Sequence, residues 1–221
     1  MKGGLGLENG YTIRSLNVGL PKLLEGHTKP VQSGIGKQPV RGPIFLSELN
    51  LDGDGQGDLV HHGGPDKAVC VYAYDHMDYW SKTFNYPFEP GAFGENITLV
   101  GLVETEVCIG DIFHWGEAIL QVTQPRQPCY KLAVRHGLPD LPKQVEKTGY
   151  TGFYFRVLKT GLVSSKDSLI LQERHRKGIT VAFAHRVMFG EKKDTPELRQ
   201  LLEVDALSEN WRKTLSKRTR I

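Results

Sequence analysis

Residues 110–131 read GDIFHWGEAILQVTQPRQPCYK, and this stretch decides the fold. Apolar and polar side chains alternate in Ile112-Phe113-His114-Trp115 and again in Ile119-Leu120-Gln121-Val122, and turn residues bound both runs. A period of two in aromatic and β-branched residues specifies half-buried strands. The stretch is therefore a β-hairpin, set up by a turn at Gly110-Asp111. Its second strand feeds Gln124-Pro125-Arg126-Gln127-Pro128-Cys129-Tyr130-Lys131, where two prolines stiffen the approach and fix where Cys129 points.

Outward from this hairpin, the same pattern predicts strands over residues 12–18, 43–49, 67–74, 96–100, 111–115, 118–123, 152–158 and 168–173. Helices are expected over 75–84, with Asp75 as N-cap, and from a point near Cys129. Three more follow at 180–189, 196–204 and 209–217, with Thr195 before Pro196 and Ser208 before Glu209 as start signals. Short strands at this spacing close into a barrel or pack as a sandwich, because open edges invite misassociation.

Composition divides the chain in two. Of 25 glycines, 23 lie in residues 1–161, as do 11 of the 12 prolines. Residues 1–161 carry 15 Lys and Arg against 17 Asp and Glu, whereas residues 162–221 carry 13 against 8, a net +5. A β-rich body over 1–175 and a helical module over 176–221 follow from these shifts. Three cysteines exclude a disulfide framework and an iron–sulfur cluster. No apolar run approaches the ~18–20 residues that cross a bilayer. The opening MKGGLGLENG lacks a signal-peptide core, so a soluble, cytoplasmic protein is expected. The overall charge of +3 is too small to argue for nucleic acid or membrane as partner.

Three tempting motifs fail. Gly53-Asp54-Gly55-Gln56-Gly57 lacks the GxGxxG spacing and no helix pattern follows it. Read as an EF-hand loop, the segment from Asp52 places Gly63 where a bidentate Glu belongs. Gly34-Ile35-Gly36-Lys37 continues with Gln38, so it is no Walker A. With no nicotinamide or flavin fingerprint, any redox electrons come from another protein.

Other segments survive. Val60-His61-His62-Gly63-Gly64-Pro65-Asp66-Lys67 pairs glycines that let backbone approach a ligand with donors and positive charge beside them, a loop suited to an anion. The competing reading is a tight turn with solvated histidines. Cys129, near a helix start and beside Arg126 and Lys131, has its thiolate favoured and is either a nucleophile or a soft metal ligand. Cys70 and Cys108 sit among apolar neighbours and read as inert core. In Phe93-Gly94-Glu95-Asn96, a turn entering a strand, Glu95 and Asn96 can bind polar ring edges.

Taken in order, HHGGPDKAV, FGEN, IGDIFHWGEA and QPRQPCYKL resemble the MOSC domain, the fold of the C-terminal domain of molybdenum cofactor sulfurases. Within that family the chain is similar to the stand-alone bacterial hydroxylaminopurine resistance branch, which carries a three-helix module after its barrel. The resemblance implies a mainly β protein with added helices, a MOSC-type β-barrel body followed by the three-helix module. It implies a bound molybdopterin, the molybdenum cofactor, with Cys129 as protein ligand to the metal and Asn96 holding the pterin. His61, His62, Gly63 and Gly64 then line the pocket, with Arg126 and Lys37 as candidates for the cofactor phosphate. Other relatives carry Arg and Pro where this chain has Gly94 and Glu95. The implied activity is reduction of N-hydroxylated compounds to amines, with an external flavoprotein or other reductase supplying electrons. His61 and His62 titrate in the range a proton donor needs, and the basic tail would dock an acidic flavoprotein reductase, carry an oligomer contact or simply face solvent. A homodimer is implied as well. The alternative is a non-catalytic carrier of the cofactor, or of sulfur, on Cys129.

Overall fold

The computed structural model describes residues 10–24, 31–57, 63–191 and 193–220; His61 and His62 lie outside them. The body begins with β1 (Thr12–Val18), β2 (Lys22–Leu24), β3 (Val31–Ser33), β4 (Gln38–Pro39) and β5 (Ile44–Leu46). After β6 (Val69–Ala73) and helix α1 (Met77–Phe84) come β7 (Ile97–Val100) and the hairpin of β8 (Ile112–Trp115) and β9 (Ala118–Pro125). Two short helices, α2 (Lys131–His136) and α3 (Leu141–Thr148), precede β10 (Phe153–Lys159), β11 (Gly161–Val163) and β12 (Leu169–Glu173). The chain ends in α4 (Val181–Phe189), α5 (Pro196–Leu202) and α6 (Glu209–Ser216).

Eight strands form one sheet in the order β12-β8-β9-β10-β6-β7-β1-β4, antiparallel except for the parallel pair β6–β7. Mainly β with added helices is thus the observed class, but among the described residues the sheet does not close into the expected barrel. The sheet keeps two end strands, β12 and β4. A single bridge joins Tyr11 to Leu169, with backbone bonds of 2.8 and 3.0 Å. Closure stops at this one bridge because farther along β1 the partner is the two-residue β4, which pairs with Asn17 and Val18. The neighbouring residues pair off instead into two small sheets, β2–β3 and β5–β11.

Elsewhere the differences are local. The strand expected over 43–49 is only Ile44–Leu46, and β2, β3, β4 and β11, each of two or three residues, carry no readable period. Helix α3 is not among the expected elements, and Pro142 does not break it. That proline sits in the first helical turn, where a missing N–H costs nothing, and Gly137 and Gly149 are left-handed C-caps at φ 65° and 75°. Asp75 does not cap α1. A 3₁₀ turn, Tyr74–His76, leads into that helix, and the Asp75 carboxylate accepts the Gly101 N–H at 2.9 Å. In the tail, Thr195 and Ser208 cap as expected, accepting from Leu198 N at 3.2 Å and Trp211 N at 3.3 Å.

One hydrophobic cluster runs from the inner sheet face, including Phe113, Trp115 and Phe155, into Leu198 and Trp211 of the tail. Burying each such side chain is worth about 1.5–3 kcal/mol, so the module packs on the body as part of one core. A second cluster centres on Trp80, whose indole N–H donates to the Tyr72 hydroxyl at 2.6 Å. Tyr72 stacks on Phe93 with ring centroids 4.0 Å apart, which fixes the turn Phe93–Asn96 on the sheet. No helix among the described residues is long and apolar enough to cross a membrane. Within the basic tail, Arg212 donates to the carbonyls of Leu202 and Val204, and Arg218 to those of Val187 and Met188. Lys213 and Lys217 stay exposed.

Candidate functional site

A pocket open to solvent, about 620 Å³ when the open space at its mouth is counted in, lies where β6, β9 and β10 meet the turn Phe93–Asn96 and the glycine-rich loop 53–57. Sheet register builds its floor. Tyr154 of β10 stands opposite Cys70 of β6 on one side and Gln124 of β9 on the other. Both Cys70 and Tyr154 line the cavity. From the end of β9 the chain passes through Arg126 to Cys129, which is half-buried at the wall, and Lys131 opens α2.

Close backbone contact shapes the opposite wall. A Cβ on Gly34 would stand 2.0 Å from the Gly55 carbonyl oxygen, and one on Gly57 would stand 2.4 Å from that of Gln32. Only glycine lets β3 and the loop pack at that distance. The segment that fails as a nucleotide loop therefore serves as a spacer. Gly94 also needs its freedom: it has φ 75°, and a Cβ there would meet Ile35 at 2.7 Å.

From this loop Asp54 reaches into a buried network. Its carboxylate pairs with the Lys37 ammonium and accepts the Asn96 amide at 2.9 Å and the Gly19 N–H at 2.9 Å. Asn96 completes the cross-link, accepting the Cys70 N–H at 3.0 Å and donating to the Asn17 carbonyl at 3.2 Å. Glu95, fully buried, accepts from Gly91 N at 2.6 Å, Phe93 N at 3.0 Å and Thr98 Oγ1 at 2.6 Å. Burial pushes its carboxyl above the ordinary range despite those donors.

Every charged side chain in the described lining is a cation. Lys37, Lys67, Arg126 and Lys131 line it, and Lys37 is paired with the buried Asp54, which is not itself part of the lining. Arg126 Nη2 donates to the Phe93 carbonyl at 2.7 Å, but Nη1 is buried with no hydrogen-bond partner. A buried guanidinium N–H without an acceptor is costly, and an anion in the pocket would remove that cost. Burial pushes the Cys70 thiol up to about 11 against the pull of Arg126, and raises the Tyr154 hydroxyl as well. Both side chains therefore hold their protons at neutral pH.

Of the residues singled out in the sequence, Lys37, Asn96, Arg126 and Cys129 come together here. Gly63 is half-buried and Gly64 exposed, with φ 96°; the nearby cavity wall is formed by Lys67, whose N–H donates to the Gly64 carbonyl at 3.0 Å. Sequence reasoning missed Asp54, Cys70 and Tyr154, whereas Lys67, read as positive charge beside the paired glycines, does line the pocket. Cys70 is buried as expected, yet it is cavity floor rather than inert filler. Cys108 is buried apart from the pocket, accepting a 3.4 Å contact from Arg174 Nη1.

Comparison with known proteins bears on this site. A model of the MOSC domain matches residues 58–170, and one of the YiiM-like, 3-alpha helix domain matches residues 179–219. The Bacillus subtilis protein YflK is 48% identical over 94% of each chain. A Gibberella moniliformis protein named a reductase is 37% identical over 72% of this chain and 29% of its own length. The crystal structure of YiiM from Geobacillus stearothermophilus superposes with a TM-score of 0.81 at 42% identity, covering 94% of this chain and 98% of that one.

Proposed function

The chain belongs to the MOSC domain family, and from that premise we propose that it is a molybdenum-cofactor oxidoreductase acting on N-hydroxylated compounds. Hydroxylaminopurine bases are the substrate class, and an external flavoprotein or other reductase is the electron source. The overall change adds two electrons and two protons across the N–O bond, giving the amine and water. A relative named a reductase supports the reaction class.

The observation that carries the reading is the orphaned Nη1 of Arg126, buried in a pocket whose charged lining residues are all cations. A pterin bearing phosphate is the kind of anionic, ring-edged group such a pocket fits. Arg126 and Lys131 would hold the anion, while Lys37, neutralised by Asp54, shapes the wall. Cys129 would supply a thiolate to a soft transition metal. When bound, the cofactor supplies two-electron redox chemistry at molybdenum. The protein positions the substrate and delivers protons, with His61 and His62 as the proposed donors. A homodimer, with the exposed Lys213 and Lys217 helping to dock an acidic reductase, belongs to the same proposal.

The test uses the full chain made in a cofactor-producing host. Molybdenum is measured by elemental analysis in wild type and Cys129→Ser, and turnover of a hydroxylaminopurine is followed with a supplied reductase. Metal and turnover lost together in Cys129→Ser support the proposal. Equal metal and turnover in both proteins would sink the assignment of Cys129. Tight cofactor binding without turnover would mean a carrier.

A further inference from the structure

Asp66 stands in the 3₁₀ turn Pro65–Lys67, one residue before a cation of the pocket wall, and its bonds run to the tail. Carboxylate Oδ1 accepts from Arg156 Nε at 3.0 Å and Nη2 at 2.7 Å, and Oδ2 accepts the Glu209 backbone N–H at 2.9 Å. Arg156 also donates to the Ala206 carbonyl at 3.1 Å and to Gln121 Oε1 at 3.1 Å. A parallel connection runs through Thr123. Its hydroxyl donates to the Asp66 carbonyl at 2.7 Å, and its own carbonyl accepts the Ser208 N–H at 3.2 Å. Thr123 directly precedes the segment that leads to Arg126 and Cys129.

The entry to α6 is thus bonded to both chain segments that flank the pocket, one ending in Lys67 and one in Cys129. We infer that Asp66 is a positioning residue, through which the three-helix module sets segments 63–67 and 124–129 in place. Loops hold a fixed geometry only where side chains tie them down, and charge-assisted bonds to Arg are the stronger ties available. The pair is only partly shielded, with side chains 25% and 24% exposed. Its effect is therefore local order rather than a large share of global stability.

The inference rests on the reading of this pocket as the working site, but its test reads neither cofactor nor turnover, so the two can fail separately. Amide hydrogen exchange, resolved by peptide, is compared in wild type, Asp66→Asn, Arg156→Gln, Arg156→Lys and the Asp66→Asn/Arg156→Gln double variant. In Asp66→Asn and Arg156→Gln, exchange in peptides covering 63–68 and 124–132 should rise about fivefold or more, the scale of one lost charge-assisted bond. Peptides covering 181–189 should keep the wild-type rate. Arg156→Lys, which retains the charge, should recover part of the protection, and the double variant should add little to either single change. Exchange that rises uniformly along the chain in step with a lower Tm would overturn the inference by showing a merely structural pair. So would a change confined to 209–212, or no change at all.

Discussion

Asp54 and Lys37 form an ion pair sealed from water, with side chains 0% and 6% exposed. Because the same carboxylate also accepts Asn96, the pair joins the segments carrying Lys37, Asp54 and Asn96 into one cross-linked wall. Lys37 is consequently spent inside the protein. The positive charge placed to meet a ligand comes from Arg126, whose Nη1 has no partner, together with Lys131.

Asp54→Ala should therefore cost about 3–5 kcal/mol, the scale for stranding a buried charge. Lys37→Met should cost less, since the carboxylate keeps its two remaining donors, Gly19 N and Asn96 Nδ2. Urea denaturation of both variants checks the order. Losses of less than about 1 kcal/mol in both, the size of an exposed pair, would release Lys37 for ligand binding.

Gly34→Ala and Gly36→Ala form a controlled pair two residues apart. The first places a methyl 2.0 Å from the Gly55 carbonyl, whereas the second meets nothing within 4 Å. Backbone cannot yield as a side chain can, so Gly34→Ala should cost about 1–3 kcal/mol and lower Tm. Gly36→Ala should leave Tm unchanged or slightly higher, because the unfolded chain loses freedom. Equal melting temperatures would show that the loop 53–57 packs less tightly on β3 than the structure has it.

Legibility in the sequence followed the range of the interactions. β1, β8, β9 and the tail helices carry their own period or caps, so residues 12–18 and 196–202 could be read from local pattern. β4 could not, because two residues have no period and its pairing depends on β1 alone. Asp54 was hidden for a related reason. Its partners Lys37, Gly19 and Asn96 lie 17, 35 and 42 positions away, and nothing local marks a carboxylate that will be buried. Cys70 misled because VCVYA is buried throughout, while its place in the pocket arises from β10 setting Tyr154 opposite. Cys129 stood out because Pro, Arg and Lys around a thiol are visible in the chain itself.

Arg126→Gln should weaken anion binding. Inorganic phosphate at millimolar concentration should raise the Tm of the wild-type protein by mass action. In the variant, affinity should fall about tenfold or more, as expected when a charge-assisted donor is removed. Sodium chloride at matched ionic strength controls for screening. An unchanged phosphate shift in Arg126→Gln would place the anion elsewhere on the protein.

The Cys70 thiol makes stability fall at alkaline pH. Burial raises it from 9.0 to about 11, so the folded protein holds a proton that the unfolded chain releases first. The fold's advantage from this group is whole below pH 9 and is lost as pH climbs to about 11. Two pH units of suppressed ionisation correspond to about 2–3 kcal/mol. Tyr154, raised by burial and by Cys70 beside it, adds a loss of its own at higher pH, so the thiol's share is read by difference. Wild type should lose about 2–3 kcal/mol more than Cys70→Ser between pH 9 and pH 11, measured by urea denaturation at each pH. Parallel losses in the two proteins would mean that the thiol ionises as readily in the fold as outside it. Iodoacetamide gives an independent check: near neutral pH it should label half-buried Cys129 well before buried Cys70, and comparable labelling would contradict the burial on which the pH prediction depends.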